Sequence, residues 1–423
     1  MFLKKLNLLN FRNYSNLSLE FDLRPTILLG NNAVGKSNLL EAIYFLSTTK
    51  SARVDNEMEL IKEEVDFCRV EGKISEHPGS ANISDTPGVS TFHLGGGVED
   101  PSRSHLPGEH TGSERKFEGE ILEITLQNSN GQFSKRVKVN GVPRRVVDFV
   151  GNLPAVIFYP SDINMVTGSP ALRRWHLDLA LAQVDPEYKR SLTLYEQILT
   201  ARNRVLKRIK MGEGGLDELT YWTDELLKDG QVVAEKRKAF FEFIFTLEKP
   251  LGNFEFKYAE SVLTPERLDQ YSSREIAAAA TLIGPHRDDF DIVILSETKD
   301  LSRMRDSSET SGIRSTSWTE IPRSARNDRG RNLRHFGSRG EQRTATLAFK
   351  LAQLEYMAKV LGKRPILLLD DIFSELDLMH RAHVVEVVGK QQTIIATVEL
   401  ENIPKKFLDE ARILKVEDGK IIE

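Results

Sequence analysis

Cysteine is almost missing from this chain of 423 residues: Cys68 stands alone, so no disulfide can close within it, and a reducing compartment is expected. Bulk charge of one sign is missing too. Lys and Arg number 58 against 62 Asp and Glu, a formal net charge of −4, so no global field draws polyanions and any such site must be a local patch. No apolar run approaches the roughly 20 residues that a membrane-spanning helix needs. Met1 to Phe11 is interrupted by Lys4, Lys5, Asn7 and Asn10, which reads as an amphipathic strand rather than a signal peptide. A cytoplasmic protein without a membrane partner is the expectation. Heptads long enough for a coiled-coil arm are also absent. His286 has no Cys or His partner at metal-ligand spacing, so no metal site of its own is read there.

What is present is a hydrophobic share of 40%, enough at this length to bury the cores of two or three domains or lobes. Near the start, Gly30-Asn31-Asn32-Ala33-Val34-Gly35-Lys36-Ser37 fits the pattern GxxxxGK[ST]. It lies between an apolar strand expected at Thr26 to Leu29 and a helix expected at Asn38 to Leu46, where Leu39, Leu40, Ile43 and Leu46 fall at helical spacing. Backbone N–H groups of such a loop face phosphate oxygens, Lys36 reaches the terminal phosphates and the Ser37 hydroxyl ligates Mg²⁺. Alone, the pattern also fits a glycine turn with a solvated lysine, but the order strand, loop, helix favours ATP or GTP. Near the end, Ile366 to Leu369 is an unbroken apolar run, the mark of a strand buried on both faces of a parallel sheet, and it delivers Asp370 and Asp371 where ligands sit in such sheets.

A third segment, Gly337-Ser338-Arg339-Gly340-Glu341-Gln342, precedes a long apolar helix expected from Thr344 to Leu361. A Ser and Gly turn there offers free N–H groups and the positive end of the helix dipole to an anion. Ser338 with Glu341 three residues on equally fits a capping box. Beyond the Asp pair come Ser374-Glu375-Leu376-Asp377 and a further strand, Thr393 to Thr397.

Between these segments, three helices are expected at Leu172 to Leu181, Pro186 to Ile209 and Leu216 to Phe245. Strands are expected at Asn253 to Tyr258 and Asp289 to Leu295. The expected organisation is an α/β lobe from residues 1–160 and 281–423, a helical second lobe from 161–280, and two insertions without apolar periodicity at 77–115 and 297–332. Arg202, Arg204, Lys207, Arg208 and Lys210 pack five cations into nine residues, which fits phosphate contacts or a solvated helix face. Arg323, Arg326, Arg329, Arg331 and Arg334 fit a solvated loop better than a polyanion patch.

In their order, these motifs resemble ABC-type ATPase heads of the structural-maintenance-of-chromosomes and Rad-type repair class. The blocks FRNYSNLSLEF, LLEAIYFLSTTKSAR, GPHRDDFDI, FGSRGEQRTATLAFKLAQLE and LLLDDIFSELD narrow the resemblance to the RecF family of bacterial recombination and repair proteins, over nearly the whole chain outside the two insertions. The resemblance implies a two-lobed, weak and DNA-stimulated ATPase acting as a switch. It implies an ATP-dependent homodimer on double-stranded DNA and at single-strand/double-strand junctions, working with RecR and RecO to load RecA. By position it assigns Gly30, Asn31, Asn32, Ala33, Val34, Gly35, Lys36, Ser37 and Asn38 to the nucleotide, Ser37 and Asp370 to Mg²⁺, and Asp371 to the attacking water. It assigns Ser338, Gly340 and Gln342 to the partner's nucleotide, Arg53 to a place over the nucleotide and Asp377 to communication across the dimer. No Gln stands out as a magnesium sensor. An ATPase subunit of an ABC transporter is the alternative, although its usual Ser-Gly-Gly-Gln turn is replaced here by Ser-Arg-Gly-Glu-Gln.

Overall fold

The computed structural model describes residues 2–54, 56–75, 119–129, 131–248, 251–295 and 330–422. Apolar residues alternate along β1 (Phe2–Phe11) and β2 (Tyr14–Glu20), so Leu6, Leu8, Leu17 and Leu19 share one buried face of an antiparallel pair. After β3 (Thr26–Leu29) and α1 (Lys36–Thr48), the strands β4 (Phe67–Ser75), β5 (Glu120–Ser129), β6 (Gln132–Val139) and β7 (Val142–Arg144) complete an antiparallel sheet of order β2-β1-β4-β5-β6-β7. Val70, Ile74, Ile124 and Leu126 line its inner face beside Cys68, whose thiol burial pushes up to about 12, an unreactive core thiol. Helix α1 presses on this sheet so closely that a Cβ at Gly72 would stand 2.3 Å from Leu46 Cδ2, which is why that position carries no side chain.

Beyond α2 (Val146–Phe149) and β8 (Ala155–Phe158), the chain turns helical: α3 (Asn164–Thr167), α4 (Pro170–Val184), α5 (Pro186–Lys210) and α6 (Leu216–Phe245). α4 and α5 carry proline in the first turn behind an N-cap, Ser169 accepting from Leu172 N and Asp185 from Tyr188 N. Next come β9 (Phe254–Ala259), α7 (Pro265–Ala278), β10 (Asp289–Ile294) and β11 (Arg331–Asn332), the strands forming a small antiparallel sheet of order β11-β10-β9. α7 is absent from the sequence expectations, because only Leu268 and Glu275 are buried along it and its apolar period is faint.

The cationic stretch of α5 is corrected here. Arg202 is buried and spends its guanidinium on Glu275 (2.7 Å), Thr281 (2.7 Å) and Thr223 (3.1 Å), so it braces α5 against α7 rather than facing phosphates. Arg208 pairs with Glu218. His286, in the turn before β10, bonds the Tyr195 hydroxyl at 2.7 Å and the Thr281 carbonyl at 3.0 Å, and burial lowers its pKa to about 4.

The segment 77–115 and residues 297–329 of the second expected insertion lie outside the described residues. The insertion's last residues are corrected: Arg331 and Asn332 pair with Ile294 and Val293. Arg331 also bonds Glu341, and Arg323, Arg326 and Arg329 lie outside the described residues. Leu295 and Gly330 thus face each other as a two-residue hairpin loop would. Joining them directly, with 296–329 deleted, is expected to leave thermal unfolding within a few degrees of the parent, whereas a deletion through Asn332 removes the β10 pairing and lowers it; differential scanning calorimetry of both variants tests the boundary.

The rest of the chain is α8 (Leu333–Phe336), α9 (Arg339–Leu361), β12 (Ile366–Asp370), α10 (Ile372–Glu375), α11 (Leu378–Val388), β13 (Thr393–Thr397), α12 (Lys405–Glu410), β14 (Arg412–Glu417) and β15 (Lys420–Ile422). These strands join β3 and β8 in a sheet of order β15-β14-β3-β13-β12-β8, parallel except for β15. Period-two alternation fills both faces. Ile157, Leu368, Ile394 and Ala396 meet α1 and the antiparallel sheet, while Val156, Leu367, Leu369 and Ile395 meet α9 and α11. Each Val, Leu or Ile among them contributes about 1.5–3 kcal/mol by leaving water. Helix α9 also packs on the small antiparallel sheet, where Phe349 stacks on Phe290 of β10 with ring centroids 4.9 Å apart.

Candidate functional site

Parallel pairing of β3, β13 and β12 brings their carboxyl ends to one edge, where the loop after β3 and the Asp pair after β12 meet. The loop needs a left-handed residue just before α1, and Gly35 supplies it at φ 117°. A Cβ there would lie 2.6 Å from Asn13 Nδ2 and 3.0 Å from the Tyr14 hydroxyl. Those two residues strap the loop from the β1–β2 turn: Asn13 Nδ2 donates to Val34 O (3.0 Å), and Tyr14 OH donates to Gly35 O (3.0 Å). Asn38 Nδ2 donates to Asn13 Oδ1 (2.9 Å). Asn13 and Tyr14 stand in the block FRNYSNLSLEF, but the sequence assigns them no role; it arises only when the first hairpin packs under the loop.

Lys36 Nζ donates to the carbonyl oxygens of Gly30 and Asn31, both at 2.7 Å, folding the side chain back over its own loop. Burial lowers its pKa, against the opposing pull of Asp370 and Asp371. Ser37 Oγ donates to Asp370 Oδ1 at 2.9 Å, so residues from opposite ends of the chain touch. Asp370 is 8% exposed, and burial raises its carboxyl above the ordinary range. Asp371 takes left-handed backbone, φ 48°, with its N–H donated to Ala396 O at 2.9 Å, which fixes it at the end of the sheet.

The cleft so formed has a volume of about 270 Å³ and is lined by Asn32, Ala33, Gly35, Lys36, Ser37, Asn38, Arg53, Pro160, Asp370, Asp371 and Val398. Arg53 donates to Asn38 Oδ1 (2.7 Å) and to Glu41 Oε2 (3.2 Å). Glu41, buried beneath it, is also held by Arg12 at 2.8 Å. Hard oxygen donors, Ser37 and Asp370, and a lysine beside open backbone N–H groups suit a nucleotide phosphate with Mg²⁺. Because a buried carboxylate near Asp371 is unfavourable without a bound cation, Asp370→Asn is expected to raise the melting temperature of the nucleotide-free protein by about 1 °C, about 1 kcal/mol for a chain of this length. The same variant is expected to lose the nucleotide-dependent rise in melting temperature, and thermal melts with and without Mg²⁺-ATP check both.

Four expected site residues, Ser338, Gly340, Gln342 and Asp377, do not line this cleft. Ser338 Oγ accepts from Glu341 N (3.2 Å) while Glu341 Oε2 accepts from Ser338 N (2.7 Å), a complete capping box that starts α9 five residues before Thr344. Gly340 is open on its Cβ side. Gln342 is buried and donates its side-chain N–H to Leu333 O at 2.9 Å. Within this chain Gln342 thus anchors the turn to α8, because the helix begins early enough to turn position 342 inward. Asp377 caps α11, accepting from His380 N (2.9 Å) and facing His380 Nδ1 (2.8 Å), outside the cleft.

A two-faced parallel sheet with this loop and Asp pair, an antiparallel sheet beside it, and a long helix opened by a Ser-x-Gly-x-Gln turn define an ABC-type ATPase head of the SMC class. The family model described as "RecF/RecN/SMC N terminal domain" matches residues 2–420. The chain is 30% identical to the DNA replication and repair protein RecF of Bacillus thuringiensis, over 100% of this chain and 98% of that one. It is 28% identical to the protein of that name from Oceanobacillus iheyensis, over 100% of both. A solved structure titled as the recombination mediator protein RecF with ATP in the RecFOR pathway superposes with a TM-score of 0.72 at 25% identity, covering 100% of this chain and 98% of that one. The chain belongs to the RecF family. Family membership displaces the transporter reading. No helix among the described residues is long and apolar enough to cross a membrane.

Proposed function

We propose that the protein is an ATP-operated DNA clamp of recombinational gap repair and replication, acting in the cytoplasm. The observation that carries this is the 2.9 Å contact of Ser37 with Asp370 beside Lys36, at the carboxyl edge of the parallel sheet. Lys36 exchanges its two loop carbonyls for β- and γ-phosphate oxygens, and the N–H groups from Asn31 to Gly35 take the remaining phosphate oxygens. Ser37, and Asp370 through water, would hold Mg²⁺, which when bound supplies neutralisation of phosphate charge. Asp371 orients and deprotonates the attacking water. Its carboxylate is one methylene shorter than a Glu and reaches the water less well, so turnover is slow and the protein works as a switch. Asn38 and Arg53 close the cleft's side.

The Ser338 turn, exposed at the start of α9 and remote from its own cleft, serves the nucleotide of a second subunit, with Ser338 and the open Gly340 backbone as the contacting groups. Gln342 supports the turn from within, and Asp377, at the head of α11, sits at the same interface. Two nucleotides then hold two chains around double-stranded DNA, and hydrolysis releases them. Solved structures named for the RecFOR pathway support RecR and RecO as partners; loading of RecA at single-strand/double-strand junctions is the step this reading gives them. Light scattering of the purified protein is expected to give a monomer with ADP and a DNA-bound dimer with Mg²⁺-ATP and a short duplex. A monomer in both conditions would falsify the clamp.

A further inference from the structure

A buried polar triad sits where the wall of the cleft meets the middle of α9. Asp162 follows Pro160, which lines the cleft, and its Oδ2 accepts the Tyr159 backbone N–H at 3.0 Å. The same oxygen lies 3.3 Å from Lys350 Nζ. Lys350 also donates to His176 Nδ1 at 3.2 Å, and Gln353, one turn further along α9, donates to the His176 carbonyl oxygen at 3.0 Å. Three elements thus join at one point: the segment after β8, helix α4 and helix α9. Asp162, His176, Lys350 and Gln353 are all 5% exposed or less.

Burial and the neighbouring Lys350 hold the imidazole of His176 well below its usual pKa, so it is neutral, with Nδ1 accepting and Nε2 3.8 Å from Asp162 Oδ1. A buried ion pair is a poor way to gain stability compared with apolar groups of equal volume, because desolvation offsets most of the attraction. Its distinctive property is geometric. An apolar contact slides at little cost, whereas a buried lysine that leaves its carboxylate strands two charges, so the two elements it joins must move together.

We propose that the Asp162–Lys350–His176 triad carries nucleotide occupancy of the cleft to the Ser338 turn within one subunit, with Lys350 as the positioning residue. The inference rests on the reading of the cleft as a nucleotide site. Phosphate entering against Pro160 shifts the Tyr159–Asp162 segment, Asp162 draws Lys350 with it, and α9 tilts. Twelve residues separate Ser338 from Lys350, about 18 Å of helix, so a tilt of about 5° moves the turn by about 1.5 Å. Nucleotide binding in one chain then sets the turn that meets the other.

The test is hydrogen exchange read by mass spectrometry on the full chain, at a concentration where light scattering shows a monomer, with and without Mg²⁺-ATP. In the parent protein, ATP is expected to change amide exchange about tenfold both in residues 31–37 and in residues 338–343, within the usual range for coupled sites. Lys350→Met is expected to keep the response at 31–37 and lose it at 338–343. Since that variant leaves Asp162 unpaired and can fail to fold, the charge-balanced pair Asp162→Asn with Lys350→Met is measured beside it. A triad that only braces the fold would let this double variant recover the turn response; a coupling triad would not. Protection at 31–37 with no change at 338–343 in the parent, a turn response only where the mass is that of a dimer, or a turn response retained in the double variant each overturn the proposal. No response at either segment removes the nucleotide-site reading and the coupling with it.

Discussion

Lys36→Ala is expected to lower ATP affinity by about 100-fold or more, since it removes two charge-assisted hydrogen bonds worth about 1.5–3 kcal/mol each. In this structure the ammonium satisfies the carbonyls of Gly30 and Asn31 at 2.7 Å, and a phosphate would displace them. Truncation frees those carbonyls to the solvent-facing cleft, so the fold persists and the loss falls on binding. Equilibrium dialysis with labelled ATP, alongside circular dichroism to show an intact fold, measures the effect. Binding retained within threefold would remove Lys36 from the phosphate site, and with it the ATP-dependent dimer would have no trigger.

Asp371→Asn should do the reverse: ATP binding stays, hydrolysis drops about 100-fold or more, the ordinary contribution of a general base, and the dimer remains on DNA. This substitution is well suited to the site. Asp371 occupies left-handed backbone, which asparagine tolerates as readily as aspartate, so the turn that leads into α10 survives. Removing one of two adjacent carboxylates also relieves Asp370, whose carboxyl the neighbouring charge helps to raise. Single-turnover hydrolysis and gel-filtration of the ATP complex with duplex DNA separate chemistry from assembly. Equal hydrolysis by the Asn variant would sink the role given to Asp371.

Much of this head is written locally. The strands Thr26–Leu29 and Thr393–Thr397 and the helix Leu216–Phe245 run where apolar runs, glycine breaks and caps place them. Each signal lies within the element itself. α9 starts earlier than its apolar pattern because the capping box, a polar device, begins it at Arg339. α7 was illegible despite Thr264 and Pro265 at its start, since most of its surface faces solvent and its two buried residues, Leu268 and Glu275, are one apolar and one charged, which leaves no period to read. The end of the second insertion was misplaced for a related reason: Arg331 and Asn332 have no strand composition, and only pairing with Ile294 and Val293 makes them a strand.

For the site, the sequence by itself determined the candidate groups: a loop with Gly35, Lys36 and Ser37, and an Asp pair after a buried strand, are types and spacings that suit phosphate and Mg²⁺, and each motif is contiguous in the chain. Only the tertiary structure decided which of them meet. It set Ser37 against Asp370 across the sheet, brought Asn13 and Tyr14 under the loop, turned Gln342 inward to Leu333, and buried Arg202 on Glu275 and Lys350 on Asp162. The reason is physical. A backbone motif fixes its own hydrogen-bonding geometry within a few residues, but whether a charged side chain faces a ligand or a buried partner depends on packing between elements far apart in the chain.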